Sequence, residues 1–330
     1  MTLLERGQVG MESSWAGAGL LWPLLPWQYS APVSGLAIWS AGLYPEWIKS
    51  INGVRDEDPE YICSGMLVLP DYDLLAVREW CQKNHVSWHL LTAREKLPEI
   101  GHGGEALFFP DVAQIRNPKL MRALKRALVQ VGVQIVENTQ VEKLEMQDGC
   151  VSEVITTQGN FQADTYILAA GAWSQQLVGQ YGAGLRVWPV KGQILLYRGK
   201  PGWFEHIIYQ NGTYIIPRKD GHILVGSTLE ETGYDKSITD EAGRSLYHSA
   251  VTIFPPLHRV EQVRHWAGLR PGSPDNVPVI GRNPNIENLY ANTGHFRYGV
   301  TMAPGSARLL SDLIEGREPE LDSAPYIWKP

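Results

Sequence analysis

The chain has 330 residues, 44% of them hydrophobic and 19% charged, with a formal charge of −6. That length supports two domains with cores of their own, and the composition is globular, not disordered. The acidic balance excludes a basic nucleic-acid face, and no apolar run reaches the roughly 18 residues that a membrane helix needs. The run GAGLLWPLLPW is broken by Pro23 and Pro26. No basic segment followed by an apolar core opens the chain, so no signal peptide is expected. The three cysteines, Cys63, Cys81 and Cys150, are odd in number and scattered. That fits reduced thiols and a cytoplasmic location better than a disulfide framework.

Residues 1–6 read as a strand that ends in Glu5. Residues 13–19 are small and polar, as in a loop lying against a ligand. Residues 32–50 carry Val33, Leu36, Ala37 and Trp47 on one helical stripe. Residues 71–84 also read as helix, with Leu74, Leu75 and Val77 inward and Asp71 and Asp73 as caps. Asn117-Pro118 predicts a helix start, with Asn as the cap; Leu120, Leu124 and Leu128 follow at i, i+4, i+8 and Gly132 closes the segment. VQIVE, VEKLEM and CVSEVIT read as strands, and FQADTYILAAGAWS as a strand rising to small residues where a backbone approaches something closely. From 186 to 230 strands alternate with turn signals, among them the hairpin dipeptides Asn211-Gly212 and Asp220-Gly221. A helix over 239–252 and a closing helix over 303–315 complete the reading. Parallel-type αβ segments thus sit at both ends with an antiparallel sheet between them, as in a domain interrupted by pieces of a second one.

Two arginines stand in Gly-flanked loops, Arg270 in GLRPG and Arg297 in GHFRYG. Arginine grips carboxylates and phosphates bidentately, and loops after strands collect binding groups. The plainer reading of each is a surface or ion-pair residue; the pair, with Tyr214 expected beside it on a sheet edge, favours a site. GHGGE has the look of a backbone oxyanion loop, but the chain has no G-x-S-x-G nucleophile elbow to go with it. His85 and His89 are four apart in a strand-like segment without a third ligand, so no metal site is expected. There is no P-loop.

Taken in order, these motifs resemble the FAD-dependent D-amino-acid oxidase superfamily, and within it the glycine oxidase branch of thiamine (thiazole) biosynthesis. LLERG, ESSWAGAG, ILAAGAWS, PVKGQ, YIIPRKDGHILVGST, HWAGLRPGSPDNVPVIG and GHFRYGVTMAP carry the resemblance over nearly the whole chain. It implies a mixed α/β fold: a Rossmann-like FAD domain of the GR2 type over residues 1–55, 111–184 and 265–330, and an antiparallel-sheet substrate domain over 56–110 and 185–264. Glu5 would bind the adenosine ribose with Arg6 beside it. Ser13, Ser14 and the Ala18-Gly19-Leu20 turn would line pyrophosphate and flavin, with Gly171 close by. Val141 would offer its backbone to adenine. His295, Phe296, Arg297, Tyr298, Gly299, Val300 and Thr301 would wrap the isoalloxazine. Arg270 would hold the substrate carboxylate, assisted by Tyr214 and Arg297. A relative such as monomeric sarcosine oxidase tethers its flavin through a cysteine near the PGSPDNVPVIG stretch; no cysteine follows residue 150 here, so the FAD is expected to be noncovalent.

The activity implied is oxidative deamination of glycine or a small amine or D-amino acid. Hydride would pass from Cα to flavin N5, O2 would give H2O2, and the imine would supply thiazole synthesis. No strong protein base is needed when the amine arrives neutral and the Cα–H is held in place. Relatives of this kind are often homotetramers. Two other readings stay open: a dehydrogenase of D-amino acids or secondary amines with a non-oxygen acceptor, and a non-catalytic fragment. The last arises because the family's first strand, its G-x-G-x-x-G turn and its first helix, roughly 30 residues, do not precede Glu5. The expectation is a chain that begins after them, from a start codon assigned too late or from a true truncation, and that holds FAD poorly.

Overall fold

The computed structural model describes residues 1–23, 25–52, 58–181 and 184–329. At its centre is an eight-stranded sheet in the order Glu261–Gly272, Trp188–Arg198, His222–Gly226, Thr213–Pro217, Ile207–Gln210, Met66–Val68, Glu105–Phe109, His89–Thr92. Every junction is antiparallel except that between Ile207–Gln210 and Met66–Val68. The expected antiparallel sheet is therefore mixed, because strands from residues 66–109 extend the one built from 188–272. Asn211 and Gly212 both take positive φ, 47° and 82°, the twist a two-residue hairpin needs.

Side chains alternate across this sheet. Leu195, Ile215 and Val225 face the helix Asp240–Ile253 and pack on its Leu246, Ala250 and Ile253. Ile194, Tyr214 and Leu224 face the other way, against Leu20, Trp22 and Phe109. Each such side chain, fully buried, contributes about 1.5–3 kcal/mol. Arg270 has the same parity as Trp266, the partner of Ile194, and so belongs to this second face.

Short parallel and antiparallel pairs form the remaining scaffold. Thr2–Leu4 runs beside Gln134–Val136, and Tyr166–Leu168 beside Leu289–Thr293. Val141–Gln147, Cys150–Thr156 and Gly159–Phe161 make an antiparallel three-stranded sheet. The helix Ala31–Asn52 packs on Gly299–Ile314 through Val33, Leu36 and Ala37 against Met302, Leu309 and Leu310. No helix among the described residues is long and apolar enough to cross a membrane. The expected division at residues 55–56 lies outside the described residues.

Several local expectations are corrected. Leu75 is 65% exposed; the helix Leu74–Asn84 buries Val77 and Cys81, one turn apart, and Asp73 alone caps it, accepting from the amides of Leu75 and Ala76. Residues 13–16 form a single helical turn, not a loop. Asn117 lies inside its helix, behind Arg116, because its amide is drawn away to donate to the Ser14 carbonyl at 2.7 Å. The closing helix begins at Gly299 and carries Pro304 inside it. Proline has no N–H to give the carbonyl four residues back; that carbonyl, of Val300, accepts instead from the Tyr44 hydroxyl.

Candidate active site

Tyr214 is buried in the middle of the large sheet, between His222–Gly226 and Ile207–Gln210, and not on an edge. Its hydroxyl lies against Gly226, where a Cβ would stand 2.6 Å from the oxygen; only glycine permits that approach. Ser227 lies beside this hydroxyl and opposes the rise of its pKa, and its own oxygen accepts from Arg270 Nη2 at 2.6 Å. Arg270 Nη1 donates to the Thr228 carbonyl at 3.2 Å. These contacts use two of the five N–H donors of the guanidinium.

Arg297 sits in the short turn Phe296–Tyr298, with Phe296 at φ 46°. The charge of Arg297 acts on both Tyr214 and Arg270, so the three residues share one neighbourhood. Burial pushes the Tyr214 hydroxyl up, and the positive charges of Arg270, Arg297 and Arg218 oppose that rise. Burial pulls Arg270 down, and the like charge of Arg297 adds to it against Tyr214 and Glu230. Two like charges in a partly desolvated place repel each other, a repulsion that an anion between them would relieve.

The second group of residues lies around Glu5. The Glu5 amide donates to Val136 at 3.0 Å and its carbonyl accepts from Thr139 at 2.8 Å, so the chain after Thr2–Leu4 is pinned to the neighbouring strand. Its carboxylate accepts from the Gly7 amide at 2.9 Å. Arg6 donates to Glu12 at 3.1 Å and lies 3.7 Å over the Trp173 ring. Gly171, with φ 54°, opens the turn that carries Trp173. Val141 starts its strand opposite Thr156.

Ser13 donates its hydroxyl to the Leu269 carbonyl, which ties it to the strand of Arg270; Ser14 is exposed. Leu20 accepts from the Thr301 hydroxyl at 3.1 Å. His295 bonds Ser306 at 2.9 Å, and burial pushes its pKa down to about 4, so it is neutral at pH 7. Tyr298 is buried against Tyr29, with ring centroids 5.0 Å apart.

A flavin dinucleotide asks for an acceptor at its ribose hydroxyls, backbone donors at its phosphates and ring carbonyls, and room for close approach. The Glu5 carboxylate supplies the acceptor. The helix Gly299–Ile314 has no side-chain cap, so the amides of its first turn are free of any capping oxygen. A Cβ at Gly171 would meet nothing within 4 Å, so the chain leaves space there. The residues fit the group.

Sequence reasoning missed Arg218. It is buried, donates to Gln114 Oε1 at 2.8 Å and to the carbonyls of Ile115 and Ala18, and burial lowers its pKa to about 10. It holds the Ala18-Gly19-Leu20 turn against the large sheet. The signal was an arginine directly after the apolar strand TYIIP.

A strand ending in an acid, an uncapped helix terminus, and a sheet with Arg270 and Tyr214 near a turn that carries Arg297 fit a flavin-dependent oxidoreductase. The comparisons agree. The sequence matches the family described as DAO, FAD dependent oxidoreductase, over residues 1–313. The chain belongs to that family, and FAD is its cofactor. It is 42% identical to a glycine oxidase of Pseudomonas aeruginosa over 99% of this chain and 91% of that protein. It is 32% identical to a bifunctional ThiO/ThiG protein of Synechocystis over 95% of this chain and 47% of that protein. The crystal structure of a glycine oxidase from Geobacillus kaustophilus superposes with a TM-score of 0.92 at 26% identity, covering 99% and 91% of the two chains.

Proposed function

We propose that the protein oxidises glycine, or a comparably small amino acid or amine that bears a carboxylate, at Cα. The observation that carries this reading is the group of buried Tyr214 and half-buried Arg270 and Arg297, with Ser227 bonded to Arg270 and lying beside Tyr214. The Arg270 fork takes the substrate carboxylate, the Tyr214 hydroxyl donates a further hydrogen bond, and Arg297 adds charge. Anchoring one end of so small a molecule fixes its Cα–H, which converts binding into orientation. His295 is a weak base, its pKa held down to about 4 by burial, and its Nε2 is engaged with Ser306; the amine enters neutral and needs no protein base. Water exclusion falls to the apolar face formed by Leu20, Trp22 and Ile194.

Glu5 and Arg6 hold the ribose end of FAD, Val141 the adenine, Ser13, Ser14, Ala18, Gly19, Leu20 and Gly171 the middle, and residues 295–301 the ring, without a covalent link. Bound there, FAD supplies a two-electron acceptor that O2 reoxidises with release of H2O2. The cofactor part comprises residues 1–55, 111–184 and 265–330, and the substrate part 56–110 and 185–264, with the strand Glu261–Gly272 spanning the join. The imine product suits an enzyme that assembles the thiazole of thiamine, a reading supported by the similarity to ThiO/ThiG proteins.

Glycine-dependent oxygen uptake by the FAD-supplemented protein, with one H2O2 per O2, tests the proposal. Dye reduction by the same substrate without oxygen uptake would replace the oxidase by a dehydrogenase. No response to glycine, sarcosine or D-alanine with either acceptor would end the proposal.

A further inference from the structure

The motif PVKGQ places a lysine and a glutamine in the strand Trp188–Arg198, inside the protein. Lys191 and Gln193 are 1% and 0% exposed. Polar groups are buried at a cost unless they find partners, and both find the same one. Lys191 Nζ lies 3.2 Å from Glu230 Oε2, and Gln193 Nε2 donates to Glu230 Oε1 at 2.9 Å. Lys191 and Glu230 also exchange backbone bonds at 2.9 and 3.0 Å.

The substrate-binding role proposed above for Arg270 does not use these groups, yet they reach it through one residue. Thr228 receives the Gln193 amide on Oγ1 at 2.8 Å and donates that hydroxyl to Glu230. Its carbonyl accepts from Arg270 Nη1. The residue between Lys191 and Gln193 is Gly192, where a Cβ would lie 2.1 Å from Arg270 Nη1. The guanidinium therefore rests on the bare backbone of the motif, while the residues on either side clamp the turn that carries its two hydrogen-bond acceptors.

We propose that Glu230, clamped by Lys191 and Gln193, is a positioning residue that sets the orientation of the Arg270 fork through Thr228 and so tunes carboxylate affinity. This rests on the carboxylate-binding reading of Arg270. A rotated fork still carries its charge but presents one donor in place of two, and bidentate geometry is what distinguishes arginine from a point charge.

The test compares Glu230→Gln, Thr228→Val and Thr228→Ser with the parent and with Arg270→Ala, all supplemented with FAD. Two readouts are taken: KM and kcat for glycine, and the stabilisation of the protein against heat by sodium acetate, corrected with sodium chloride at matched ionic strength. Acetate carries a carboxylate but no amine, so the second readout needs no turnover. Expected are a five- to thirtyfold rise in KM and in the half-saturating acetate concentration for Glu230→Gln and Thr228→Val, with kcat changed less than threefold. Thr228→Ser, which keeps the hydroxyl, restores most of the loss.

Lower melting temperature or lower kcat with unchanged KM and acetate response would make the network merely structural and overturn the inference. Should Glu230→Gln fail to fold, Thr228→Val decides alone. A parent protein indifferent to acetate, or an Arg270→Ala variant that responds as the parent does, would overturn the carboxylate reading itself, and this inference with it.

Discussion

The proposed carboxylate end and the proposed ribose end of the site are built differently. Around Arg270 the contacts are part-buried and mutually bonded: Ser227 accepts from Arg270 beside the buried Tyr214, and Thr228 links Arg270 to the buried Gln193 and to Glu230. Around Glu5 the polar contacts are half exposed; Arg6 and Glu12 keep 37% and 32% of their side-chain surface, and Lys236, the other cation on Glu12, keeps 46%. On the proposed reading the protein shapes the substrate end by itself, where partial burial strengthens each hydrogen bond, and leaves the ribose end to be completed by the cofactor. Substitutions should therefore cost most at Arg270 and least at the exposed pairs.

The largest effect is expected for Arg270→Ala. Truncating a buried charged partner costs about 2–5 kcal/mol, so kcat/KM for glycine should fall at least thirtyfold, mostly in KM, with FAD retained; steady-state kinetics and the flavin spectrum check this. Glu5→Ala should weaken FAD by tenfold or more and leave the glycine KM alone, because a carboxylate accepting hydroxyl protons is worth roughly 1.5–3 kcal/mol per bond. Equilibrium titration with FAD measures it, and unchanged affinity would remove residues 1–6 from the ribose site.

The third prediction concerns acid. The His295 pKa is lowered from 6.5 to about 4 by burial, so the unfolded chain takes up its proton before the folded one does. Stability from keeping it neutral is fully present above pH 6.5 and is lost as pH falls toward 4, an effect on the order of 2 kcal/mol. His295→Gln should flatten the melting-temperature profile across that window; a variant profile parallel to the parent's would show that His295 is not responsible.

Smaller effects follow. Tyr214→Phe removes one neutral hydrogen bond, about 0.5–1.5 kcal/mol, and should raise KM two- to tenfold. Lys236→Ala breaks an exposed pair with Glu12, worth about 0–1 kcal/mol, and should change FAD affinity less than threefold in low salt. A larger loss there than at Tyr214 would break the contrast between the two ends.

The proposed ligands Arg270, Arg297 and Tyr214 stood out in the sequence because Gly-flanked arginines and an aromatic strand residue are local signals, although Arg270 lies in the strand Glu261–Gly272 and not in the expected loop; the order of motifs supplied the rest of the fold. The partners of Arg270 were not. Ser227, Thr228 and Glu230 reach it only through the register that sets Trp188–Arg198 between Glu261–Gly272 and His222–Gly226, and no short stretch encodes that register. A warning was present in VKGQILLY, where two polar residues enter an apolar strand and must find company. Tyr214 was misplaced on an edge, since its strand is flanked on both sides, by His222–Gly226 and by Ile207–Gln210. The closing helix looked shorter than it is because Pro304 reads as a start, whereas Tyr44, far away in sequence, satisfies the carbonyl that Pro304 leaves open.

The most direct measurement of the central claim is the anaerobic bleaching of the bound flavin by glycine against methylamine. The two share the amine, but methylamine has no carboxylate for Arg270. Fast bleaching by glycine, and bleaching by methylamine at least a hundredfold slower at equal concentration, is the predicted result. Equal rates for both would contradict the assignment of Arg270, and with it the proposal that the carboxylate is what fixes the reacting Cα–H.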